Sequence, residues 1–137
     1  MKPYILLTAL LSTPVIAAQC PSIHDVLNNN QWQTPAGWQQ LPLSPLAGDT
    51  GKHTFAITGL THVFYLSSTK NVRCTYIKAG TGVQANTYVI KQHVPNFQPG
   101  KGNWQHIIDN TVWRCAAKTA AKHMTIIKPE ACLWNTP

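Results

Sequence analysis

Between Asn71 and Gly80 the chain reads Asn-Val-Arg-Cys-Thr-Tyr-Ile-Lys-Ala-Gly. Val72, Cys74 and Tyr76 recur at every second position, with Arg73 and Thr75 between them, which is the period of a half-buried strand. Valine, threonine, tyrosine and isoleucine suit a pleated surface. Strand-like stretches lie on both sides in sequence, so the pattern predicts an inner strand of a sheet. Cys74 makes that strand the anchor of a disulfide.

How the cysteines are read depends on compartment. Lys2, the apolar run Tyr4 to Leu11, the helix-breaking Pro14 and the small residues of Val15-Ile16-Ala17-Ala18 have the form of a secretory signal, with cleavage after Ala17 or Ala18. A lipoprotein signal wants a small residue directly before its cysteine, and Gln19 precedes Cys20. The rest, 137 − 18 = 119 residues, is enough for one domain over residues 19–137 with one modest core. No second apolar run approaches the ~20 residues of a membrane span, so the expectation is a periplasmic or secreted chain. Its four cysteines, Cys20, Cys74, Cys115 and Cys132, then read as two disulfides. Of three connectivities, Cys20–Cys74 and Cys115–Cys132 are favoured: the first ties the mature N-terminus to the central strand and the second closes a short C-terminal loop. No pair has Cys-x-x-Cys spacing, so a zinc site is not expected.

Along the chain, Ser22 can cap a short helix in Cys20–Leu27, with Asp25 near its N-terminus and Ile23, Val26 and Leu27 on one face. Asn28-Asn29-Asn30 ends it. Prolines 35, 42 and 45 and glycines 37, 48 and 51 make residues 31–51 irregular, with Trp32 and Trp38 pinned to the core and a short edge strand at Trp38–Leu41. Strands are expected at Lys52–Thr58, at Thr61–Ser67 after an interruption at Gly59, and at Asn86–Val94; connections this short imply antiparallel pairing. Pro95 to Gly102 reads as a break. Trp104, Ile107 and Ile108 have helical spacing, Thr111–Cys115 reads as a strand, Ala116–Met124 as helix and Thr125–Ile127 as a last strand. The fold class expected is α+β: an antiparallel meander of four or five strands with the N-terminal helix packed on it, stapled by disulfides.

The Cys20-Pro21 start, the Cys74-Thr75-Tyr76 strand, and Trp113-Arg114-Cys115 followed by Cys132-Leu133-Trp134 together resemble a loose group of small exported bacterial disulfide-bonded proteins of unknown function. The resemblance implies a fold and a compartment and brings no catalytic residues.

Catalytic material is thin. The mature chain has only Asp25, Asp49, Asp109 and Glu130 as carboxylates, no Gly-x-Ser-x-Gly elbow and no phosphate-binding glycine loop. His62 and His93, on neighbouring strands of a basic exported domain, are the pair that an RNA-cleaving acid–base enzyme would use. No two histidines have metal-ligand spacing, and no cofactor is expected. The net charge is +7, or +6 without Lys2. If Arg114 to His123 is helical, Arg114, Lys118 and Lys122 stack as a basic stripe able to grip a polyanion, the bland alternative being a solvated face. Arg73 or Arg114 beside an exposed tryptophan would have the composition of a binding hot spot. The reading that follows is a non-enzymatic binding module whose partner is a protein or an anionic envelope component. A small basic RNase-like hydrolase is the alternative, with nucleic acid as its partner.

Overall fold

The computed structural model describes residues 17–42, 44–45, 58–78, 86–119 and 125–137. Among these residues twelve strands run in chain order: β1 (Ala17–Ala18), β2 (Leu27–Asn28), β3 (Gln31–Trp32), β4 (Gln39–Gln40), β5 (Ser44–Pro45), β6 (Thr58–Leu66), β7 (Asn71–Lys78), β8 (Asn86–His93), β9 (Gln98–Gly102), β10 (Trp104–Ile107), β11 (Val112–Ala116) and β12 (Cys132–Asn135). The α+β expectation is overturned. Among the described residues the fold is mostly β, 54% strand against 8% helical, and no helix reaches seven residues. The N-terminal helix is a single turn, α1 (Ile23–Val26). The carboxylate of Asp25 accepts hydrogen bonds from the Ser22 N–H and Oγ, but the chain then turns through Asn29 and Asn30, both left-handed, into the β2–β3 hairpin.

The main sheet is antiparallel, in the order β10-β11-β6-β7-β8-β4, with β5 also paired to β8. β7 is the inner strand its alternation predicts. β11 returns from the C-terminal third to pair with β6, so the sheet is not a simple meander. Gly59 does not interrupt β6; a bulge between Leu60 and His62 absorbs the change of register. Two further corrections come from β9 and β10. The break expected over Pro95–Gly102 is confined to a turn at Pro95–Asn96; Gln98–Gly102 is β9, which pairs with β12 in a small sheet ordered β1-β12-β9. Trp104–Ile107 is a strand, and the helical spacing there is incidental. Arg114 lies in β11, Ala116–Thr119 is not helical, and Thr125–Ile127 forms no strand, although the Ile127 N–H donates to the Leu60 carbonyl. Residues 1–16 of the signal segment, residues 52–57 of the strand expected before Gly59, Asp49, and Lys122 to Met124 lie outside the described residues.

One face of the main sheet carries Leu60, Val63, Tyr65, Val72, Cys74, Tyr76, Tyr88, Ile90 and Cys115, all buried. A covering layer closes over it: Cys20, Val26, Cys132 and Trp134 join the same apolar cluster, with Trp32, Trp38, Phe97 and Trp104 packed against it. Trp32 stacks on Tyr88 at 4.6 Å and Phe97 on Tyr65 at 4.1 Å. The two tryptophans of the irregular stretch are thus pinned, as expected. Both disulfides, Cys20–Cys74 and Cys115–Cys132, cross between the layers, joining a core-facing cysteine of the sheet to one in the cover. These are the favoured pairs.

Candidate functional site

An antiparallel sheet with one covered face ordinarily turns polar residues outward. Here β6 reads Val63-Phe64-Tyr65-Leu66; Val63 and Tyr65 go to the core, so Phe64 and Leu66 go to the outer face. The register carries this across the sheet. One row runs Gln105, Arg114, Phe64, Arg73, Lys91, Gln39. The next runs Ile107, Val112, Leu66, Asn71, His93. Three half-buried cations therefore share one row with a phenylalanine among them, on a face where Leu66, Val89, Ile107 and Val112 stand among polar Gln105, Thr75, Asn71 and His93.

Across these rows runs a groove of about 320 Å³, lined by Leu41, Phe64, Leu66, Arg73, Thr75, Val89, Ile107, Ile108 and Val112. Arg73 is its single charged wall. Past Lys91 a second, polar hollow of about 220 Å³ is lined by Gly37, Gln39, Asn71, Lys91, Gln92 and His93. Arg73 and Lys91 stand side by side where the apolar and polar hollows meet. Like charges directly opposite on neighbouring strands repel. Among the described residues no carboxylate is ion-paired with Arg73, Lys91 or Arg114, and the Nε of Arg73 is buried without a hydrogen-bond partner. The nearest acid in sequence is Asp109, exposed in the β10–β11 turn.

That turn is unusual in its own right. Ile108, Asp109 and Asn110 are all left-handed, with φ of 52, 51 and 62°. Aspartate and asparagine visit this region readily; a β-branched residue there costs about 1–2 kcal/mol. The side chain of Ile108 is 71% exposed, so burial in the free protein does not offset that cost. It forms the outer lip of the apolar groove.

The structure brings Arg73 and Arg114 together on one face, but not by the helical stripe expected. Lys118 is exposed beyond the end of β11, and Lys122 lies outside the described residues. His62 and His93 share the outer face without meeting. His62 is opposite Thr75 and through it Val89, whereas His93 pairs with Asn71, one strand further and four residues along. Strand spacing and rise put their Cα atoms about 16 Å apart, too far for both to reach one phosphate. His62 is buried, with Nδ1 3.0 Å from the Thr61 hydroxyl and its ring stacked on Phe64. Among the described residues no three His, Cys, Asp or Glu side chains gather as a metal site would need. A cavity of about 440 Å³ around Gln19, Ser22, Asp25 and Gln33 lies beside α1; its carboxylate is already engaged by Ser22. Sequence reasoning missed Lys91, Phe64, Leu66, Ile107 and Ile108. The signal for them is the unbroken apolar run in β6, which cannot be satisfied by one buried face. Searches against protein-family models, curated proteins and solved structures returned no match.

Proposed function

We propose that this protein is an exported, non-enzymatic binding module whose ligand surface is the outer face of the main sheet. Its ligand is a molecule with an anionic group beside an apolar part. The observation that carries this is the row Arg114, Phe64, Arg73, Lys91, uncompensated by any carboxylate among the described residues and set beside a groove of matching apolar character. Desolvated anion-binding groups next to an apolar hollow are the composition of a ligand site, not of a solvated face. A bare polyanion would use the cations and leave the groove unfilled. Export is supported by the signal-like segment and by two disulfides, which fit an oxidising compartment. Among the described residues no helix is long and apolar enough to cross a membrane.

Anilinonaphthalene sulfonate, an anionic aromatic that fluoresces on apolar surface, tests the reading in the oxidised, folded protein. The wild type is expected to bind it at one saturable site. Arg73→Met with Lys91→Met, both keeping their apolar stems, is expected to abolish that site while near-ultraviolet circular dichroism stays unchanged. Equal binding by both proteins would remove the cationic row from the argument and the proposal with it.

A further inference from the structure

The reading above leaves open what the apolar part of the ligand is, and the groove's shape narrows it. From Arg73 on β7 the apolar floor crosses β6 and β11 to β10, ending at Ile108. Three strand spacings make this about 14 Å. Phe64 and Leu66 lie along this path and Arg73 stands at its start, while Thr75, Val89 and Leu41 continue the lining on the other side of Arg73. Resting on the proposed binding role, we infer that the occupant is a single-chain alkyl carboxylate. Its carboxylate lies over Arg73 and Lys91, and its chain runs across Phe64 and Leu66 to the lip at Ile108. Arginine offers a carboxylate paired parallel donors, and Arg73 is the one charged residue among those lining the groove. The strained, exposed Ile108 is explained as the group that closes over the chain's far end.

A second copy of the protein is a poorer occupant. A two-fold contact through this face would set Arg73, Lys91 and Arg114 against the same three cations, with no acid in either row. A bilayer surface is also poorer, because Arg73 is the single charged residue among those lining the groove, so no ring of cations surrounds the apolar patch.

The test is isothermal titration of the oxidised protein with octanoate, decanoate, dodecanoate and tetradecanoate below micelle formation, at physiological salt. Affinity is expected to rise about two- to fourfold per added methylene and to level off beyond dodecanoate. Arg73→Met is expected to lower dodecanoate affinity at least about tenfold. Ile108→Asn puts a residue tolerant of the left-handed region at the turn, so it folds at least as well. It is expected to flatten the dependence on chain length, dodecanoate affinity falling more than octanoate affinity. A flat chain-length series in the wild type, with anilinonaphthalene sulfonate still bound, would overturn the alkyl occupant and leave the broader reading standing. Binding to phosphatidylglycerol vesicles without binding to dodecanoate would do the same. Retention of heparin alone, released by high salt, would overturn both.

Discussion

Replacing Arg73 by methionine is expected to stabilise the free protein. The guanidinium Nε is buried on the outer face of β7 without a partner, and an unsatisfied buried donor costs about 1–3 kcal/mol. Arg73 also stands directly opposite Lys91, and a like-charge pair in that position costs about 0.2–1 kcal/mol. Methionine keeps the unbranched apolar stem that packs beside Phe64 and removes both terms. The solvated end of the guanidinium is hydrated in the unfolded chain as well, so its loss nearly cancels. A net gain of about 1.5 kcal/mol follows, or roughly 6 °C in Tm for a domain of this size. Urea unfolding with both disulfides intact measures it. Repeating the experiment near 1 M salt separates the terms, since screening there acts over only about 3 Å. The repulsive part of the gain should fade and the desolvation part persist. A variant less stable than the wild type by more than about 0.5 kcal/mol would show that Arg73 is a paired structural residue, and the case for a ligand-directed cationic row would fail.

Other substitutions test the frame that holds the site. Removing Cys115–Cys132 by double alanine substitution frees a closed loop of sequence separation 17 and should lower unfolding free energy by about 3 kcal/mol; removing Cys20–Cys74, with separation 54, should cost about 4. A loss below about 1 kcal/mol in either would reject the loop-entropy account. Tyr76 is fully buried and donates to the Pro21 carbonyl at 2.5 Å. Its phenol is held well above the usual tyrosine range, first by burial, then by the Asp25 carboxylate and by Tyr88. The folded phenol thus stays neutral while the unfolded one ionises, so its contribution is full below about pH 10 and lost above it, by up to about 1.4 kcal/mol per pH unit. Tyr76→Phe should make the alkaline limb of the stability–pH curve shallower by one proton; an unchanged limb would refute this. Gly102 has φ +139°, and a Cβ there would lie 2.5 Å from the Ala131 carbonyl oxygen and 3.0 Å from Cys115 Sγ, so Gly102→Ala should cost at least about 2 kcal/mol in the same unfolding assay. Ala18 pairs with Trp134 and packs against the core, so N-terminal sequencing of the exported protein should read from Ala18, with cleavage after Ala17.

The parts of the fold legible in sequence were those where one face alone is apolar. In β7, Val72, Cys74 and Tyr76 alternate cleanly with polar neighbours, and the strand, its inner place and its disulfide followed. In the final third the alternation fails because both faces carry apolar residues. Trp104 turns to the core, Ile107 to the outer groove and Ile108 into the turn, so three residues of one hairpin imitate the spacing of a helix. β9 was hidden by Pro99, Gly100 and Gly102. Proline is tolerated there because β9 pairs only with β12, and the glycines are required because the backbones approach so closely that a Cβ on Gly100 would lie 3.0 Å from the Leu133 carbonyl oxygen. Arg73 and Arg114 were both singled out in sequence, but their relation to Lys91 is one of register across four strands, and local spacing carries no register.

A packed sheet departs from local consistency for few reasons, and three departures here share one place. The core face keeps apolar alternation, stacked aromatics and disulfides that join its two layers, with one buried donor, Trp134 Nε1, left without a partner. The outer face departs in three ways. It turns Phe64, Leu66, Ile107 and Val112 outward, half-buried, where polar residues ordinarily belong; it sets Arg73 against Lys91 with no acid paired to them among the described residues; and it holds an isoleucine in a left-handed turn. Each alone is an ordinary imperfection. All three border a single groove of about 320 Å³, and the first two have opposite solvation preferences that no single bulk environment satisfies. Water disfavours the apolar floor, and a second apolar layer would disfavour the cations. A molecule that is itself anionic at one end and apolar at the other satisfies both, and it also gives the strained residue at the groove's far end something to bury against.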